Sequence, residues 1–318
     1  MSEYLYYTTA FAETGIDDDE WSTPSPVPKT KSHARPALAH FQGRVWCVHR
    51  GGGSDLGLYS NSFKYAAPGV AGGGWSGDTP IPNQKSADGP ALAILNDQLW
   101  CVYRGGAPGH NNPQLYYTYY DGNNWSDAQD IPKQMSDSGP ALAVFNDQLW
   151  CVYRGGSPDV SNQNPQLYYT VWDGQNWSDA SEIPKQMSNK GPALAVFKDQ
   201  LWCVYHGGAP DHDNPQLYYT IYDGQNWSNG QPITNALSDG EPALVYDSRV
   251  DELVCMWTGV GSDMKMYYSN RQEKSSSWPT ARIVEGCYSL HGPGLTEFKF
   301  KYKNDSYDLI MCVFRQYG

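Results

Sequence analysis

The residues best equipped for chemistry in this chain recur at matching places. Arg50, Arg104 and Arg154 each stand before a Gly-Gly pair, and His206 holds the same position before Gly207-Gly208. Thr258 and Arg315 close the corresponding runs further along. Each basic residue is followed nine to fourteen residues later by a tyrosine after a leucine: Tyr59, Tyr116, Tyr168 and Tyr218. In three copies an asparagine, Asn112, Asn164 or Asn214, stands four residues before that tyrosine. Arginine offers a planar fork of donors, and tyrosine a flat apolar ring with a polar tip. Together they suit a ligand with a hydroxylated edge and a C–H face, the combination that sugars present. These basic residues could equally cap their own loops by donating to backbone carbonyls, and the sequence leaves both readings open. Asp211-His212-Asp213 has metal-ligand side chains but occurs in one copy only, so it reads as solvated loop, and no metal or cofactor is expected.

The elements that must position these residues form a repeat. The stretch DQLWCVYRGG occurs at Asp97–Gly106 and at Asp147–Gly156, and as DQLWCVYHGG at Asp199–Gly208. A Trp precedes a Ser by eleven residues in six places: Trp21/Ser32, Trp75/Ser86, Trp125/Ser136, Trp177/Ser188, Trp227/Ser238 and Trp278/Ser289. A Pro follows each Ser by four residues, and each copy carries a Cys in its apolar run, from Cys47 to Cys312. Such fixed-period similarity marks a repeat architecture.

Each copy reads as four short strands: PALAVF, QLWCVYR, LYYTVWDG and a run from the Trp to Ile-Pro. Asn-Asp and Asp-Gly turns supply the backbone conformations that tight hairpins need. The sixth copy is split, its first half near the C-terminus and its second near the N-terminus, which a closed ring explains and a linear solenoid does not. The expectation is all-β: a six-bladed β-propeller with four antiparallel strands per blade, closed by a blade made from both N- and C-terminal segments. Residues 1–318 are read as one domain, with blades near 32–85, 86–135, 136–187, 188–237, 238–288, and 289–318 plus 1–31. The second-to-third-strand loops are longer and more variable than the opposite turns, so the binding face is placed there.

Composition narrows the function. Net charge is −12, with no basic run, which argues against nucleic acid. No apolar stretch approaches a membrane span, so no membrane insertion is expected. The start, MSEYLYYTTA, has no basic n-region or apolar h-region; a cytoplasmic protein, or one released by a non-classical route, is expected. Seven Cys without a secretion signal argue against a disulfide scaffold. The six blade Cys read as buried packing residues, Cys287 as semi-exposed, the six Trp as packing between blades, and the six link Ser as partners of turn backbone.

The pattern xYxxYDGxxW followed by a fixed link resembles the fungal and bacterial propeller lectins that bind fucose and related sugars, the Aleuria-type six-bladed and Photorhabdus-type seven-bladed lectins. The resemblance implies sugar pockets between adjacent blades with an aromatic wall and, in the Aleuria type, an Arg–Glu pair. The chain departs there: Tyr117, Tyr169 and Tyr219 fall where that Glu would stand, and Val where that Arg would stand. The YDGxNW turn also looks like the Asp box of sialidases, one residue shorter than the usual form. The resulting expectation is a multivalent lectin for glycans or glycoconjugates, for fucose or a related deoxy or methylated sugar, with an oligomer possible. Its site residues would be Arg50, Tyr59, Arg104, Tyr116, Asn112, Arg154, Tyr168, Asn164, His206, Tyr218 and Asn214. The alternatives are a protein-binding propeller or toxin-associated module, and a glycan-active enzyme with one central site.

Overall fold

A computed structural model describes residues 3–11, 20–65, 73–107, 112–157, 159, 164–209, 212–275, 277–302 and 305–317. The chain is a six-bladed β-propeller, all-β, with no helix among the described residues. In blade 2 the strands Ala91–Leu95, Gln98–Arg104, Gln114–Tyr120 and Gln129–Met135 lie in chain order from the axis outward, all antiparallel. Blade 1 (37–85), blade 3 (141–187), blade 4 (193–237) and blade 5 (243–288) repeat this order. Blade 6 is the mixed one. Its strands Gly294–Tyr302 and Asp305–Arg315 are continued by Tyr4–Phe11, paired from Leu5↔Arg315 to Ala10↔Ile310, and by Ser25–Lys31. The extended turns of blades 6 and 1 carry the two-residue strands Glu20–Trp21 and Gly74–Trp75; their tips, 12–19 and 66–72, lie outside the described residues.

The reason for the repeated second strand is that both of its faces are buried. Leu99, Cys101 and Tyr103 pack into the core shared with blade 1, while Trp100 and Val102 pack into the core shared with blade 3. A strand buried on both sides loses the polar alternation of a surface strand, and each large apolar side chain contributes about 1.5–3 kcal/mol. Trp177 reaches back to Tyr117 of blade 2 at 5.8 Å and Trp227 to Tyr169 of blade 3 at 5.9 Å, so these Trp pack between blades. All seven Cys are free and buried. Cys287, expected to be semi-exposed, is 1% exposed because it points into the blade 5–blade 6 core beside Met256 and Phe314.

Turn chemistry follows the sequence. Asn96-Asp97, Asn146-Asp147 and Lys198-Asp199 have both φ positive, the requirement of the two-residue hairpin that matches strand twist. In the outer hairpins Asp121, Asp173 and Asp223 each accept two backbone N–H bonds through Oδ1, which hold their carboxyls below the ordinary aspartate value. Each outer strand also carries a bulge. Lys29, Asn83, Lys133, Lys185, Asn235 and Gly286 all adopt φ between 59° and 75°, and the pairing register shifts beside them. The bulge turns the next residue inward, which matters for the clefts.

The ring closes around its axis on the face of the link segments. The residues before the six link prolines are Arg35, Gly89, Gly139, Gly191, Glu241 and Gly292. A methyl on Gly139 would come within 2.4 Å of the Gly89 carbonyl, and one on Gly191 within 2.4 Å of the Gly139 carbonyl. The Arg35 guanidinium spans the axis, donating to the carbonyls of Pro140 (2.6 Å), Pro192 (3.1 Å) and Pro242 (3.4 Å). Beneath it lies a narrow channel of about 80 Å³ lined by the Pro-Ala-Leu starts of five inner strands and by Pro293-Gly294-Leu295 of blade 6.

Candidate functional site

The second-to-third-strand loops and the blade links share one face. Gly105, Gly155 and Gly207 bridge to the link residues Ser86, Ser136 and Ser188. In all six links the Ser hydroxyl donates to the carbonyl two residues on, as from Ser86 to Asp88 at 2.6 Å.

The basic strand-end residues lie beneath this surface. Arg154 is 8% exposed and donates from Nε to the Ser188 carbonyl (3.0 Å), with Asp137 3.6 Å from its Nη1. His206, 1% exposed, lies 2.8 Å from the carbonyls of Gly207 and Ser238 through its two ring nitrogens. Arg50 is buried and donates to the Gly53 carbonyl at 3.1 Å; Arg104 is half-buried. Arg154 and His206 thus clamp the link that follows their own blade. Burial lowers the Arg50 and Arg154 guanidinium pKa values, offset in part by nearby carboxylates.

The tyrosines and asparagines come together instead at the blade boundaries. Tyr218 stacks on Tyr205 at 6.0 Å, and Asn214 donates to the Tyr218 hydroxyl at 3.3 Å while accepting from the Gln216 N–H. Tyr168, Tyr153 and Asn164 repeat this arrangement, and Tyr116 stacks on Tyr103 with Asn112 accepting from the Gln114 N–H. The bulged outer strand of the preceding blade supplies the other wall: the Tyr103, Tyr153 and Tyr205 hydroxyls donate to Oε1 of Gln84, Gln134 and Gln186. Burial pushes these three phenols well above their usual pKa, so they stay neutral donors. The Gly-Gly pair is there for close approach. A Cβ on Gly207 would meet the Asn214 amide at 2.7 Å, and one on Gly208 would meet link backbone at 2.7 Å.

Between blades 3 and 4 these residues line an open cleft of about 390 Å³, with Lys185, Gln186, Met187 and Tyr205 facing Asn214, Tyr218 and Gly230. Gly230 stands where blades 2 and 3 carry Ala128 and Ala180; a methyl there would come 2.4 Å from the Tyr205 hydroxyl and from Gln186 Oε1. A second cleft of about 320 Å³ lies between blades 6 and 1, lined by Tyr59, His49, Asp55, Asp78, Glu3 and Lys29, among others. Gln186, Tyr205, Gly230, His49 and Asp78 join these clefts without being among the site residues expected from the sequence. The signal was their place on the repeat, the second residue after the outer-strand Pro and the residue before the strand-end Arg. Tyr117 and Tyr219 lie on the opposite face of the sheet, stacked on Trp100 and Trp202. The loop tips 108–111, 158, 160–163 and 210–211, and with them Asp211 and the side chains of His212 and Asp213, lie outside the described residues.

At the axis Asp88 accepts from the Gly89 N–H (2.7 Å) and the Gly139 N–H (3.0 Å). Burial, with Glu241 nearby, raises its carboxyl pKa; Glu241 is held below its usual value, because Arg35 and His291 more than offset its own burial.

No family model matches the sequence, and no curated protein matches it. Solved structures share the fold. The chain is similar to a protein of unknown function from Dyadobacter fermentans, at 10% identity and TM-score 0.62, covering 89% of this chain and 94% of that one. It is similar to a triple arginine-to-alanine mutant of AofleA from Arthrobotrys oligospora, at 13% identity and TM-score 0.59, covering 87% and 79%. It is also similar to Aleuria aurantia lectin in complex with Fucα1-6GlcNAc, at 11% identity and TM-score 0.57, covering 85% and 86%. An exo-β-1,3-galactanase from Phanerochaete chrysosporium shares the fold at 8% identity and TM-score 0.52, covering 92% and 72%. At these identities the likeness is one of fold.

Proposed function

We propose that this propeller is a multivalent carbohydrate-binding protein whose neutral sugar sites are the clefts between blades on the loop face. The observation that carries the reading is the repeated wall of stacked tyrosines, asparagine and glutamine at three successive interfaces, open between blades 3 and 4. The half-exposed Tyr218 ring suits the C–H face of a pyranose. The Asn214 and Gln186 amides suit its hydroxyls. Arg154 and His206 serve by holding the link segments that shape the rims. Repeated weak sites on a rigid ring gain avidity through effective concentration. The structural likeness to Aleuria aurantia lectin, seen with Fucα1-6GlcNAc, and to the galactanase is in keeping with a glycan partner. Fucose or a related deoxy or methylated sugar is the first candidate, with Met187 in the wall to meet a methyl group.

Glycan-array binding with calorimetric stoichiometry tests this. The expected result is two or more neutral sugars per chain, with binding reduced in Tyr218→Ala. No glycan bound and no red-cell agglutination at high protein concentration refutes it. A second reading, a glycan-active enzyme, draws on the galactanase likeness and on the axial pair Asp88 and Glu241. Turnover of a glycan at one site per chain, abolished in Glu241→Gln, would establish it instead.

A further inference from the structure

The blade interfaces serve as controls for one another: three share a tyrosine–glutamine pair, two are apolar at that place (Trp257 with Ala236, Phe314 with Cys287), and one carries a carboxylate network. Where three interfaces pair Tyr103, Tyr153 or Tyr205 with a glutamine, the interface of blades 6 and 1 has His49 and Thr30. Ala128, Ala180 and Gly230 are replaced there by Asp78, and Thr118, Thr170 and Thr220 by Asn61. These four departures are scattered in sequence yet meet in space. Asp78 Oδ1 accepts from Thr30 Oγ1 at 2.9 Å and from Asn61 Nδ2 at 2.7 Å, and lies 3.3 Å from His49 Nε2. Thr30, His49 and Asn61 are at most 2% exposed. A buried polar network of this kind carries a desolvation cost that the sibling interfaces avoid, so its presence at one interface calls for a functional reason.

The network holds one carboxylate in place and leaves part of it open. The Asp78 side chain is 25% exposed, lines the 320 Å³ cleft, and receives all of its described hydrogen bonds on Oδ1. Burial pushes its carboxyl up, but the bonds from His49, Thr30 and Asn61 outweigh this and leave it below the ordinary aspartate value. It is therefore ionised at neutral pH. Asp55 stands where the neutral clefts have asparagine, and accepts from the Tyr59 hydroxyl at 2.8 Å. Glu3 is engaged by His33 at 3.2 Å. Three carboxylates thus line the cleft against Lys29 and Lys31, which are exposed at its rim, and the Lys31 ammonium lies 4.9 Å from the Tyr4 ring centroid.

We propose that the cleft between blades 6 and 1 is a separate site for an amino sugar, its primary ammonium group donating to Asp78 Oδ2 and its ring lying against Tyr59. An ammonium carries three donors and no acceptor, which fits a cleft floored by acceptors, and an aromatic face adds attraction for the cation. This site uses a different cleft and different residues from the neutral-sugar reading and does not depend on it.

Calorimetric titration of the full chain with glucosamine, glucose and N-acetylglucosamine at neutral pH and low salt tests the proposal. The quantity read is the component lost in Asp78→Asn. One glucosamine per chain is expected, weakened at least about tenfold by that substitution, with no matching component for glucose or N-acetylglucosamine. Thr30→Gln, His49→Tyr, Asn61→Thr and Asp78→Ala combined restore the set that the sibling interfaces fold with; this variant should melt as a single ring and lose glucosamine. Gly230→Ala should leave glucosamine binding unchanged. The proposal is overturned if glucosamine does not bind at millimolar concentration, if it binds undiminished to Asp78→Asn, or if glucose binds as tightly through Asp78. Glucosamine binding with no neutral glycan bound would leave this site standing and remove the neutral-sugar reading.

Discussion

Removing the Arg35 guanidinium while keeping its apolar stem, as in Arg35→Met, tests what holds the ring at its centre. The side chain is 7% exposed and donates to three carbonyls that belong to blades 3, 4 and 5. A hydrogen bond with one charged partner contributes about 1.5–3 kcal/mol when fully buried. The bonds lie at the mouth of the axis, where water can replace some of them, so about 1 kcal/mol each is the more suitable figure. Asp88 and Glu241 also lose their shared cation, and the total comes to about 4 kcal/mol, within the range for breaking a buried pair. Unfolding entropy near 60 °C is about 2.1 cal/mol/K per residue, or about 0.7 kcal/mol/K for this chain. The melting temperature should therefore fall by about 6 °C. Calorimetry at neutral pH and moderate salt reads it directly. Arg35→Lys should fall between the two, since one ammonium cannot span three carbonyls. If Arg35→Met melts within about 1 °C of the parent, the axial arginine is not a structural tie and this account of ring closure fails.

Gly230→Ala should narrow the cleft between blades 3 and 4 to the form of the alanine-bearing interfaces and weaken neutral-sugar binding there without removing it, with less than about 1 kcal/mol change in urea stability, because blades 2 and 3 carry alanine at that place; sugar binding unchanged in this variant would show that the extra depth of this cleft does not contribute. Native protein should react with less than one equivalent of a thiol reagent at pH 8, and with seven after unfolding, because every Cys is buried and burial pushes even the Cys287 thiol up to about 12; rapid reaction of the folded protein would contradict that packing. Asp78, Asp121, Asp173 and Asp223 all have folded-state pKa values below the ordinary aspartate value. The stability they contribute is complete above about pH 4 and is lost as pH falls through their lower folded values. Urea midpoints should decline from pH 4 to pH 2.5, less steeply in Asp78→Asn; a flat profile there would refute the assignment.

The blade count and the mixed closing blade were legible in the sequence because each rests on spacing between strong markers such as Trp75 and Ser86. The second strand was legible because a residue run buried on both faces tolerates little change. Two features were not. Arg35 occupies a place that is glycine in four copies, and its role depends on convergence of all six links, which no single repeat displays. The outer-strand bulge at Lys133 or Lys185 leaves no clear trace, since lysine at positive φ looks like any other lysine on a strand, yet it aims Gln134 and Gln186 into the clefts. Asn112, Asn164 and Asn214 were found beside their tyrosines. Among the strand-end basic residues, Arg154 and His206 turn beneath the loop face to the link carbonyls of Ser188 and Ser238, and Arg50 turns to the Gly53 carbonyl of its own loop.

The axial arginine also bears on how such a gene can change. Blades 2, 3 and 4 are near-copies, and near-identical tandem sequence invites unequal recombination that deletes or adds one unit. The contact between successive pre-proline glycines sets the circumference, and Arg35 meets the carbonyls of three particular blades across it. A five- or seven-unit product would present those carbonyls at the wrong radius. One side chain thus acts as a counter, marking against copy-number variants that every local rule of the repeat would accept.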